Sequence, residues 1–378
     1  MEVDGVFLRY ASPNEQRTIS REDLGFYHAV IISAIYERGN GPAIRSSQSL
    51  FGLLARCIEQ HPFLGVTVGD RHTDQSFYQR VHMVNLNDHI EIKELPVSTK
   101  LERWNAIEEL QRFNLDHVLG LQAQASTLDE GTWTGSPAAF NGDKSRTKIA
   151  LRVVDSSLAD RALCQAKTHD AKLMGLLHQF IGRGMSKAFG EVNVTNFVSQ
   201  TAVNMRKSVG VPSDEMGEFV SATYLVHPKL TSAGPLSDAE WLAASSSTRA
   251  FAETAATLQD QPIGLLRYLP SVRKWLLSKL GQRRDCSHEV SNVGAFEGAT
   301  SDGEKKATIT HVVFSQPGHV SSAPICFNIS SVKQGPLMYT VTWPTGALGV
   351  PEVEEDAVVN TICTSIQADF EAIGHMEC

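Results

Sequence analysis

The sequence predicts an α/β protein with mixed α+β sheets, built as two lobes. Length is the first reason, since 378 residues exceed what one ordinary core organises and suit two of conventional size. Composition is the second: 42% hydrophobic and 20% charged residues are the proportions of a globular chain, so disorder does not dominate. The third is the order of periodic segments, in which helices, strands and hairpins mix without a βαβ repeat. Periodicity fails once, which divides the chain into a first lobe over residues 1–121, a linker over 122–146 and a second lobe over 147–378.

Residues 20–38 place Leu24, Tyr27, Val30, Ile31, Ala34 and Ile35 near helical spacing, with Ser20 and Asp23 as an acidic capping box. A second helix is expected over 46–59, ended by His61-Pro62 because proline disfavours helical backbone in the residue before it. A buried strand at 63–68 and another strand at 84–92 follow. The segment 101–114 reads as an amphipathic helix with Trp104, Ile107 and Leu110 inward. Residues 122–144 are small, polar and rich in Gly, Ser, Thr and Asp, which reads as a long loop.

Order resumes with a strand at 147–154, helices at 156–167 and 171–189, strands at 198–205 and 218–225, and helices at 237–257 and 263–280. Strands at 289–293, 307–314, 325–332 and 337–343 come next, the last two joined by a Lys333-Gln334-Gly335-Pro336 hairpin turn. A helix over 354–373 closes the chain, with an acidic first turn that suits the helix dipole.

A formal net charge of −8 argues against a broad nucleic-acid or anionic-membrane surface. No run approaches the roughly 18 apolar residues of a membrane span. The start MEVDGVFLRY has neither a basic nor a sustained apolar region, so a cytoplasmic protein is expected. Six cysteines (Cys57, Cys164, Cys286, Cys326, Cys363, Cys378) lack CxxC spacing and are expected as reduced thiols or small buried side chains, with no disulfide frame and no metal site.

Certain words in the chain are more specific. They are Asn14-Glu15 through Leu24-Gly25-Phe26-Tyr27, His61-Pro62-Phe63-Leu64-Gly65-Val66, and Leu176-Leu177-His178. Two more are Asn204-Met205-Arg206-Lys207-Ser208-Val209-Gly210-Val211-Pro212, continued by Met216-Gly217-Glu218-Phe219-Val220-Ser221, and Glu289-Val290-Ser291-Asn292-Val293-Gly294. In order and spacing through 14–115 and 147–350 they resemble the fungal alcohol O-acetyltransferase-type branch of the chloramphenicol acetyltransferase and condensation-domain superfamily. The resemblance implies a two-lobed chloramphenicol acetyltransferase-like fold around a tunnel, with a shortened N-terminal lobe. It implies acyl transfer from acetyl-CoA or another acyl-CoA, a co-substrate and not a bound cofactor, to a hydroxyl of a small specialised metabolite. Relatives also suggest a monomer, with a small-molecule alcohol and acyl-CoA as partners and neither nucleic acid nor membrane.

That family rests its chemistry on a His-x-x-x-Asp motif, and here none of the 13 histidines is followed four positions later by aspartate. The interval between Leu121 and Thr147 is too short to hold the family's motif strand, its helix and the crossover. The departure is a missing block, so no position inherits the catalytic histidine. Losing a core strand would expose sheet edges and apolar surface. Three readings follow: an O-acyltransferase, an impaired or repurposed member acting as a metabolite-binding or cyclisation chamber, and a shortened gene model.

His169, next to Asp170, is the substitute base to weigh, because imidazole accepts a proton near neutrality. Adjacent residues rarely orient one another, however, and a helix cap is the plainer role. His178 lies on an apolar helix face and reads as a core histidine. His288 either faces the tunnel or sits at a strand edge. By the resemblance, Ser291 and Asn292 line the tunnel and offer donors for a tetrahedral oxyanion, or else form an ordinary buried polar pair. Arg206 would join them there or make a structural ion pair. Arg273, Lys274, Lys279, Arg283 and Arg284 form the one dense basic run, either a site for the phosphates of coenzyme A or a solvated helix face.

Overall fold

The computed structural model describes residues 5–27, 30–38, 48–90, 128–142, 146–190, 193–232, 234–258, 261–298 and 307–374. The first lobe opens with β1 (Gly5–Tyr10), which pairs with β4 (Phe77–Val81), itself paired with β3 (Val66–Gly69). Between them lie α1 (Pro13–Asp23), β2 (Ile31–Arg38) and α2 (Gln48–Gln60). Val6, Phe7, Leu8 and Tyr10 of β1 are exposed.

The helix expected over 20–38 is not formed. The capping box belongs to Ser12 and Glu15, with Pro13 at the first helical position, where its missing N–H costs nothing. Arg9 fixes Glu15 through both carboxylate oxygens at 2.8 Å. Gly25, at φ +73°, turns the chain out of the helix. Residues 31–38 then pair antiparallel with β9 (Ala307–Ser315), from Ile31 opposite Ser315 to Arg38 opposite Ala307. Ile31, Ala34 and Ile35 fit either period, and a partner strand far along the chain decided between them.

Two other strands are displaced. The segment expected at 63–68 is a 3-10 turn, Pro62–Gly65, followed by β3. Where 84–92 was expected as a strand, Leu86–His89 forms a 3-10 turn started by the Asn85 side chain, which accepts from the Asn87 N–H. β1 and β4 were not anticipated, and the helix expected at 101–114 lies outside the described residues.

The second lobe is a six-stranded sheet, β5 (Thr147–Val154), β6 (Asn196–Asn204), β7 (Val220–Pro228), β8 (His288–Phe296), β10 (Cys326–Val332) and β11 (Leu337–Pro344), in the order β5-β11-β10-β8-β6-β7. β8 runs parallel to both β10 and β6, and the other pairs are antiparallel. The expected β10–β11 hairpin closes through the Gly335 N–H to the Val332 carbonyl at 2.9 Å. The helices are α3 (Ser156–Thr168), α4 (Leu173–Ala188), α5 (Asp238–Ala256), α6 (Val272–Ser278) and α7 (Glu355–Gly374). The helix expected at 263–280 splits into a 3-10 turn, Pro262–Tyr268, and α6. Pro270 lacks a donor, and Ser271 restarts the chain by accepting from the Lys274 N–H.

The main core lies between this sheet and α3, α4 and α7, around Phe180, Phe370, Phe197, Phe327 and Trp343. α4 and α5 pack closely at Gly175, where a Cβ would overlap the Ala244 carbonyl oxygen. Gly175→Ala should therefore destabilise the protein by about 1–3 kcal/mol through overpacking. A free helix would instead gain about 1 kcal/mol from the same change, so the sign of the urea-midpoint shift checks the contact.

The predicted loop is present at 128–142, without helix or strand beyond one bridge between Thr132 and Asn196. It is pinned firmly onto the second lobe. Trp133 stacks on Phe189 with centroids 3.8 Å apart, and the Ser136 and Ala138 N–H groups each donate at 2.9 Å, to Ala347 and Gln282. Cys57, Cys286, Cys326 and Cys363 are free thiols, but Cys164, half-buried on α3, is disulfide-bonded, which corrects the expectation of six reduced cysteines. Among the described residues no helix is long and apolar enough to cross a membrane.

Candidate active site at the lobe interface

Strand alternation divides the β7-β6-β8 surface into two chemically different faces. On one, Gln200 and Ala202 of β6, Ala222 and Tyr224 of β7, and Glu289 and Ser291 of β8 look toward α1 of the first lobe. α1 contributes Arg17 and Arg21, one turn apart, and the loop after β9 contributes Gln316 and His319. These residues enclose a cavity of about 160 Å³ between the lobes.

Its chemical centre is a buried carboxylate–imidazole pair. His319 Nε2 is 3.1 Å from Glu289 Oε2, and both side chains are under one-tenth exposed. The other ring nitrogen, Nδ1, meets Arg21 Nη2 at 3.1 Å, and the ring lies parallel to Tyr27. Gln200 and Gln316 donate to the two oxygens of Glu289 at 3.3 and 3.4 Å, so the carboxylate is fixed from three sides. Burial by itself raises the Glu289 pKa, but His319, Arg21 and Arg17 outweigh it and hold the carboxyl below its ordinary range. Burial pushes the Arg21 guanidinium down to about 10. Arg17 Nε is buried without a hydrogen-bond partner among the described residues. A cavity with two guanidiniums, one fixed carboxylate and one imidazole can orient a hydroxyl and receive developing negative charge.

The structure separates the residues singled out from the sequence. Ser291 lines the cavity, but its neighbour Asn292 points the opposite way, toward α4, where it contacts Met174 Sδ at 3.2 Å. Arg206 sits outside the cavity and spends its guanidinium on the Glu215 and Gly217 carbonyls, at 3.0 and 3.1 Å, closing the 206–217 loop. His169 ends α3, with Nδ1 2.9 Å from the Gln165 carbonyl and its ring stacked on Trp241 at 4.0 Å. His288, considered for the tunnel or a strand edge, is neither: it is fully buried on the opposite face of β8.

The basic run does not converge on one site. Arg273 pairs with Asp23, and Lys274 is exposed. Arg283 ties the Asp129 and Thr132 carbonyls, and Arg284 is buried against the carbonyls of Ser136, His319 and Ser322. Lys279 pairs with Asp285 at 3.7 Å. Arg284 thereby holds the loop that carries His319. Arg17, Arg21, Glu289 and His319 were missed in the sequence. The i, i+4 spacing of the arginines and the i, i+2 spacing of Glu289 and Ser291 were available signals, whereas His319 sits in an aperiodic loop.

Two lobes, a mixed six-stranded sheet and a polar cavity between them make up a fold similar to that of solved acyltransferases and condensation domains. Residues 239–361, which carry Glu289, Ser291, Gln316 and His319, match the family model described as alcohol acetyltransferase. Similar solved structures include the TRI3 trichothecene 15-O-acetyltransferase from Fusarium sporotrichioides, at 11% identity and TM-score 0.65 over 96% of this chain and 94% of that one. The condensation domain of the monacolin K polyketide synthase MokA aligns at 11% identity and TM-score 0.56, covering 97% and 98% of the two chains. The PapA2 acyl transferase aligns at 9% identity and TM-score 0.53, covering 100% and 93%. No curated protein sequence matches significantly.

Proposed function

We propose that the protein is an acyltransferase that moves an acyl group, in the first instance acetyl from acetyl-CoA, onto a hydroxyl of a small molecule bound between the lobes. The observation that carries this reading is the His319–Glu289 pair in the interface cavity, inside the segment that matches the alcohol acetyltransferase family. In this scheme the acceptor hydroxyl displaces Arg21 from His319 Nδ1 and passes its proton to that nitrogen. Glu289, beside Nε2, orients the ring and stabilises the imidazolium. The alkoxide attacks the thioester carbonyl, and Arg17 with the Ser291 hydroxyl receives the oxyanion. The carbon–sulfur bond then breaks, and the leaving thiolate takes the proton from His319. The chemistry thus does without the absent His-x-x-x-Asp block.

The test is release of free coenzyme A from acetyl-CoA and longer acyl-CoA donors in the presence of a panel of primary and secondary alcohols. Alcohol-dependent thiol release with matching ester formation is the expected outcome. Release no faster than the donor's spontaneous hydrolysis, for every alcohol, would count against the reading and favour a binding chamber.

A further inference from the structure

The other face of β7-β6-β8 packs against α4 and α5, and there His178 of α4, His227 of β7 and His288 of β8 come together. Each offers one ring nitrogen, and these nitrogens lie within 4.8 Å of one another. The ring centroids are 5.1, 5.9 and 5.9 Å apart. Around one tetrahedral zinc, bonds of about 2.0–2.1 Å put imidazole centroids about 5 Å apart and ligand nitrogens about 3.3 Å apart. The rings already have nearly that spacing, and modest side-chain rotation brings the nitrogens inward.

Hydrogen bonding points the same way. His178 Nδ1 and both nitrogens of His288 are buried without a partner among the described residues. Unpaired buried nitrogens are uncommon in native structures and call for a ligand or an ion. One nitrogen of each of two rings is held by a hydroxyl of β6, which fixes the ring as hydrogen bonds from neighbouring groups fix metal-bound histidines: His178 Nε2 meets Thr201 Oγ1 at 3.0 Å, and His227 Nε2 meets Ser199 Oγ at 2.8 Å. Each of these two rings therefore has Nδ1 left to give.

We propose that His178, His227 and His288 form a binding site for one divalent transition-metal ion of the zinc class, with a fourth coordination position open to a water or small ligand. Three protein ligands with a free position is the arrangement of zinc sites that bind and activate an exogenous oxygen. Access is built in, because His178 and His227 line a cavity that also borders Lys229, Leu230, Ser246 and Ser247. The donor set is neutral, and a bound hydroxide would offset part of the ion's charge. This site is separated from the acyl-transfer cavity by the sheet itself and does not depend on that assignment.

The experiment uses the full chain, freed of metal with a chelator and titrated with cobalt(II) alone, then with zinc(II) in competition. One equivalent of cobalt should give the visible absorption of a tetrahedral site without thiolate charge transfer, and zinc should abolish it. His288→Leu, shown folded by circular dichroism, should bind cobalt at least 100-fold more weakly. The proposal falls if wild-type protein shows no stoichiometric band, if a cobalt–thiolate band appears, or if folded His288→Leu binds as tightly. Should that variant not fold, X-ray absorption of zinc-loaded wild type decides alone: three imidazole ligands support the site, and any other first shell overturns it.

Discussion

Replacing His319 with alanine is expected to lower kcat for acyl transfer by about 10²- to 10⁴-fold, the usual contribution of a positioned general base. The effect should be large because, among the described residues, His319 is the one imidazole lining the cavity, and its two nitrogens have distinct partners, Glu289 at 3.1 Å and Arg21 at 3.1 Å. Loss of the side chain leaves Glu289 buried beside two guanidiniums, and its two glutamine donors still hold it, so the fold should persist. Glu289→Gln should give a smaller loss in kcat, since it keeps the packing while removing the charge that stabilises the imidazolium. Single-turnover rates with one donor and one acceptor check both. A His319→Ala enzyme with unchanged kcat would remove His319 from the chemistry, even if the protein proved to be an acyltransferase. The affinity for acyl-CoA should change little in either variant, because neither side chain is assigned to donor binding.

Arg183→Leu is expected to destabilise the protein by about 3–5 kcal/mol, the cost of removing one partner from a buried ionic cluster. Arg183 lies in α4 at 2% exposure, with Nε and Nη2 on the two oxygens of Glu240 at 2.6 and 2.8 Å and Nη1 on Asp369 at 2.8 Å. It thereby joins α4 to both α5 and α7, and its loss would strand two carboxylates in the interior. Replacing all three residues with apolar side chains should recover much of the loss, because the unpaired charges vanish together. Urea unfolding of the single and triple variants separates these outcomes.

The same cluster sets an acid limit. Burial raises the Glu240 pKa, but bonds from Arg183, Ser237 and Ser232 outweigh it and hold the carboxyl at about 2. A folded pKa below the unfolded value means the unfolded chain binds the proton more readily. The Glu240 contribution is therefore complete above about pH 4.5 and is lost as pH falls toward 2. Burial raises Asp369, which works in the opposite sense. Glu240→Gln should flatten the stability profile across that window, and a profile as steep as wild type would refute the assignment.

Apart from the helix expected at 263–280, which Pro270 divides, the helices and strands of the second lobe were legible because each carries its own period. β5 was expected at 147–154 and is found there, and the β10–β11 hairpin follows its turn residues. The misreadings cluster where a short segment fits two periods or depends on a remote partner. β2 read as helix because its apolar spacing is ambiguous over eight residues and β9 lies at the far end of the chain. The Ser291-Asn292 word marked the right strand, but adjacent residues on a strand face opposite sides, so only Ser291 reaches the cavity. Arginines 183, 206 and 284 carried no mark in the sequence of which carbonyl or carboxylate they would serve.

By itself, the sequence determined the mixed α/β class, the ordered hairpin, the long loop before β5 and the absence of a His-x-x-x-Asp motif. These are local or countable properties, carried by residues a few positions apart. The tertiary structure alone decided which polar residues meet. His319 and Glu289 pair across a loop and a strand, and the three histidines arrive from a helix and two strands widely separated along the chain. No spacing rule encodes such meetings, because sheet order and helix packing bring the residues together only once the core has formed.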